Sequence, residues 1–71
     1  MKRTREMIDT MPKTNREYLE NLKSAMAKMR DNGNDKVEKE YKNVGKGYIK
    51  GMVDCGILDS FKVAWCWFTT Y

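Results

Sequence analysis

Apolar side chains recur at helical spacing through most of the chain, and polar breaks divide them into three stretches. In the first, Tyr18, Leu19, Leu22, Ala25, Met26 and Met29 fall on one face at about 100° per residue, with Arg16, Glu17, Glu20, Lys23, Ser24 and Lys28 opposite. Thr14 and Glu17 have capping-box spacing, in which each side chain satisfies a backbone N–H left open at a helix start, and Pro12 stands just outside. A helix over about 14–32 is predicted. It ends in Asp31-Asn32-Gly33-Asn34, where Gly33 can take the left-handed conformation that closes a helix.

The second stretch begins with another capping-box pair, Asp35 and Glu38, and carries Val37, Tyr41, Val44, Tyr48, Met52 and Cys55 on one stripe. It predicts a helix over about 35–55 that Gly56 terminates. Lys39, Lys42, Lys46 and Lys50 make a row along its far side. With a short polar turn between two helices of similar length, an antiparallel helical hairpin follows. Gly51 falls near the centre of the apolar stripe and Gly45 at its edge. A side chain at Gly51 is therefore expected to push a neighbouring helix away, and one at Gly45 to be tolerated. Gly45-Lys46-Gly47 is not a phosphate loop, since its spacing is wrong and no Ser or Thr follows the lysine.

The third stretch is ambiguous, because Phe61, Val63, Trp65, Trp67, Thr69 and Tyr71 alternate as a strand would. Helix is the better reading over about 60–70. Leu58-Asp59-Ser60 offers a cap, and Phe61, Ala64, Trp65, Phe68 and Tyr71 share one helical face, while a lone strand would have no partner. Val63 and Trp67 project away from that face, so the helix is either wrapped by its own domain or docked on another chain. Two helices are thin cover for both sides. Phe61, Val63, Trp65, Trp67, Phe68 and Tyr71 are accordingly the candidate partner interface. Residues 1–13 carry Lys2, Arg3 and Arg5 and a scatter of apolar groups without a settled period. They read as a basic arm or a short helical turn before a single domain at 14–71.

Charge and chemistry narrow the picture by exclusion. The 71 residues hold 14 Lys and Arg against 10 Asp and Glu, a net +4 with both signs interspersed, which is the pattern of a solvated surface. Histidine is absent, and no acid or tyrosine stands beside an evident activator, so no catalytic residue, metal ligand or cofactor-binding group is assigned. Cys55 and Cys66 are too few for a zinc site or a disulfide framework and read as buried, reduced thiols. No signal peptide or membrane-length apolar run is visible, which implies the cytoplasm.

The stretch from Gly47 through Asp54-Cys55-Gly56-Ile57, followed by the aromatic segment, resembles the C-terminal half of short uncharacterised helical proteins encoded by mobile elements and prophages of Gram-positive bacteria. The resemblance implies a bacterial, cytosolic, helical protein and no activity. The expectation is an all-α, non-enzymatic interaction protein that forms a homodimer through its aromatic helix. The alternative is a small nucleic-acid-binding accessory protein using Lys2, Arg3, Arg5, Lys39, Lys42, Lys46 and Lys50.

Overall fold

A computed structural model describes residues 2–71, and side chains from Arg5 onward. The chain is all-α: α1 (Lys2–Thr10), α2 (Lys13–Asp31), α3 (Asp35–Asp54) and α4 (Phe61–Phe68). Helices α2 and α3 form the expected antiparallel hairpin. Helix α4 lies across one side of it against both, and α1 packs on α4.

Two glycines set this path. At the end of α2, Gly33 takes φ +72°, its N–H bonds Arg30 O at 3.0 Å, and the Asn34 N–H bonds Met29 O at 2.8 Å. The end of α3 repeats the device. Gly56 takes φ +80° and bonds Val53 O at 3.0 Å, while the Ile57 N–H bonds Met52 O at 2.8 Å. Each left-handed residue satisfies carbonyls that a helix end leaves open and turns the chain, at little steric cost only for glycine.

The helix starts differ from the capping boxes. Pro12 occupies the cap position of α2 with no side-chain cap bond, because its fixed φ of −53° presets the entry and its carbonyl accepts from the Arg16 N–H at 3.0 Å. For α3 the cap is Asn34 rather than Asp35, with its Oδ1 accepting from the Val37 N–H at 3.3 Å. At α4 the Ser60 hydroxyl accepts from the Val63 N–H, also at 3.3 Å. The last segment is thus a helix, though one that ends at Phe68, before Tyr71.

The core is one cluster, centred on the fully buried Leu19, Met26, Ile49, Ala64 and Phe68. Met7, Ile8 and Met11 belong to it. This corrects the reading of residues 1–13 as an arm or a short turn: α1 is a nine-residue helix whose apolar groups complete the core. The three positions span too little sequence to display a period, and burial alone reveals their side.

The stripe on α3 is also corrected. Its buried positions are Gly45, Ile49 and Met52, whereas Val44 stands 49 % exposed and Cys55 is exposed. The glycines exchange roles accordingly. A β-carbon on Gly45 would run into the Phe68 ring, and one on Gly51 would meet nothing within 4 Å. Apolar counting passes over a glycine, yet the missing side chain is what admits α4 to this face. Cys66 is exposed as well, so neither thiol is the buried one expected.

Candidate interaction surface

The aromatic groups of α4 were the first candidates for a partner surface, and the fold occupies most of them. Phe68 is fully buried over Gly45 and is unavailable to any partner. Phe61, Val63, Trp65, Trp67 and Tyr71 are half-buried on the two flanks of the helix. Phe61 stacks on Trp65 at 5.9 Å and 13°, and Trp65 meets Phe68 at 5.9 Å, so that flank is an aromatic row against its own core.

The other flank is held by cations. Lys23 Nζ donates to the Trp67 carbonyl at 2.9 Å and lies 4.2 Å from the Trp67 ring centre. Partial burial depresses the Lys23 pKa, with Glu20 opposing the shift. Just past α4, the Tyr71 hydroxyl donates to the Glu38 carboxylate. Its carbonyl accepts from Arg30 Nη1 at 2.5 Å, and its ring takes Arg30 at 5.1 Å and Lys42 at 5.8 Å. Desolvation, followed by the bond to Glu38 and that group's negative charge, pushes the Tyr71 phenol up to about 12, with Arg30 opposing. Only Lys62, Cys66 and Thr70 stand exposed along the top of this segment. The additional cover that wraps α4 comes from α1.

The lysine row is present but interrupted. Lys39, Lys46 and Lys50 are exposed, while Lys42 bends toward Tyr71. Arg5 is exposed, and the side chains of Lys2 and Arg3 lie outside the described residues. A shallow groove beside the row is lined by Lys46, Lys50, Val53, Asp54 and Phe61. A second open groove, between α1 and the α3–α4 connection, is lined by Glu6, Met7, Thr10, Gly56, Ile57 and Asp59. Among the described residues no acids or thiols cluster as metal ligands, no polar or charged residue is buried, and no helix is long and apolar enough to cross a membrane.

Of the stripes that read as core, Leu19, Met26 and Met52 are buried, whereas Tyr18, Val44 and Cys55 stand at the surface. On the side of the hairpin away from α1 and α4, the Tyr18 and Tyr48 rings meet at 4.5 Å, and Asn15 Nδ2 donates to the Tyr48 hydroxyl at 2.6 Å. Antiparallel register carried from that pair sets Leu22 beside Val44, Ala25 beside Tyr41 and Met29 beside Val37. Tyr18 is 41 % and Val44 49 % exposed, and the rest of this seam is half-buried. Gly47 and Gly51 border it with open space over both. The signal was available in the stripes themselves. Each helix is apolar over more of its circumference than one neighbour can cover.

No protein-family model, curated protein or solved structure matches the chain.

Proposed function

We propose that this protein is a small non-enzymatic interaction module that works by associating with itself. The observation that supports the reading is the outer seam of the hairpin. Two helices of 19 and 20 residues present a half-exposed apolar strip that none of the described residues covers. Apolar surface of this continuity costs free energy in water and is stabilised by burial against a partner. The expected interface on α4 gives way to this strip, because Phe68 is core and Trp67 and Tyr71 are engaged within the chain.

Sedimentation tests the reading. Mass should rise with concentration up to the order of hundreds of micromolar, the range in which weak dimers populate. A single species of monomer mass throughout that range overturns it. The second reading, nucleic-acid binding, has in its favour the exposed Lys39, Lys46 and Lys50. It ranks lower because the aromatic ring beside Lys46 and Lys50, that of Phe61, is already stacked on Trp65, and Asp54 shares its groove. It requires oligonucleotide retention in about 150 mM salt and an affinity that falls steeply as salt rises.

A further inference from the structure

Four charged residues edge the outer seam, and their positions specify how a second copy would sit on it. Glu17 and Lys28 lie on the free edge of α2, and Lys36 and Asp54 on the free edge of α3. All four are exposed. Among the described residues the sole ion pair is Arg30–Asp31, at 3.6 Å, so these four have no salt-bridge partner among the described side chains.

We infer that two copies dock through the outer faces of their hairpins about a two-fold axis that crosses the helices near Leu22 and Val44. The inference rests on the self-association proposed above and adds its geometry. Such an axis sets α2 antiparallel to α2 and α3 antiparallel to α3. Glu17 then faces Lys28 of the partner subunit, and Lys36 faces Asp54 of the partner subunit, each pair occurring twice by symmetry.

The two pairs fix the axis independently. The midpoint of Glu17 and Lys28 falls between Leu22 and Lys23, and that of Lys36 and Asp54 falls at Gly45. The Tyr18–Tyr48 contact places Leu22 opposite Val44 within one hairpin. Both midpoints therefore lie at one height to within about half a helical turn. Gly47 and Gly51, with open space where a β-carbon would go, let the two α3 backbones approach beside that axis.

The area suffices. Helices of 19 and 20 residues are about 30 Å long, and a packed pair of them is about 20 Å wide. The projected face of roughly 600 Å², before side-chain relief is added, is near the ~800 Å² each partner contributes to a standard interface.

The test is a charge swap, with helicity by circular dichroism as the control for folding, since every altered group is exposed. Glu17→Lys alone sets like charges against each other twice, as does Lys28→Glu alone. Each should weaken the homodimer about tenfold by sedimentation at low salt. An equimolar mixture of the two variants restores both pairs and should dimerise like wild type, as should the double variant E17K/K28E. If wild type dimerises and either single variant matches it, this geometry is wrong and the self-association reading stands. A two-fold axis parallel to the helices would instead bring Lys28 near Glu40 of the partner subunit, and the losses would then add in the double variant, which also overturns the proposal. Wild type that is monomeric throughout defeats the self-association reading and this inference with it.

Discussion

The ring of Phe68 occupies the space that a β-carbon on Gly45 would fill. Since Phe68 is fully buried, its ring has no free volume to retreat into, and the far end of this side chain is not as yielding as it would be at a surface. Gly45→Ala should therefore destabilise the fold by about 1 to 3 kcal/mol, despite the gain in helix propensity. Gly51→Ala, with open space around it, should be neutral or stabilise by up to about 1 kcal/mol. Thermal melts of the two variants check the difference. Equal melting temperatures would show that α4 does not seat on Gly45.

Ile8 is 7 % exposed in a segment whose sequence reads as an arm. Ile8→Ala should cost roughly 2 to 4 kcal/mol, as truncation of a core side chain does, and lower the urea midpoint accordingly. A change below about 0.5 kcal/mol, the usual ceiling for a surface substitution, would detach α1 from the core.

Tyr71 joins the end of the chain described here to Glu38 on α3, and its phenol is raised from 10.0 to about 12. A group whose folded pKa lies above the unfolded value contributes stability that is complete below the unfolded value. That contribution fades as pH rises from 10 through about 12. Tyrosinate absorbance should show a late phase near pH 12 that is missing from Tyr71→Phe. Over the same pH interval the variant should lose less stability than wild type.

Cys55 and Cys66 are both exposed, Cys55 at the end of α3 and Cys66 on the outer side of α4. Both should react with an aromatic disulfide reagent in the folded protein, at rates that 6 M urea changes only modestly. Protection of either by orders of magnitude until the protein unfolds would place that thiol inside.

The sequence by itself determined α2, α3, their hairpin and the helical state of the last segment, because those features are local, but it did not give α1. Gly33 and Gly56 stop helices through their own backbone freedom, and the stripes on α2 and α3 carry enough turns to show a helical period. It also placed Ala64 and Phe68 on the inner face of α4. Only the tertiary structure decided which side of each stripe is covered. Tyr18, Val44 and Cys55 are as apolar in pattern as Leu19, Ile49 and Met52, and hydrophobicity does not indicate where a third and a fourth helix will lie. That choice was made by Gly45, where the lack of a side chain lets Phe68 in, and by α1, whose Met7, Ile8 and Met11 close the core beside α4. Once those contacts fix one side of the hairpin as interior, the other side, with Tyr18, Leu22 and Val44, is left as surface.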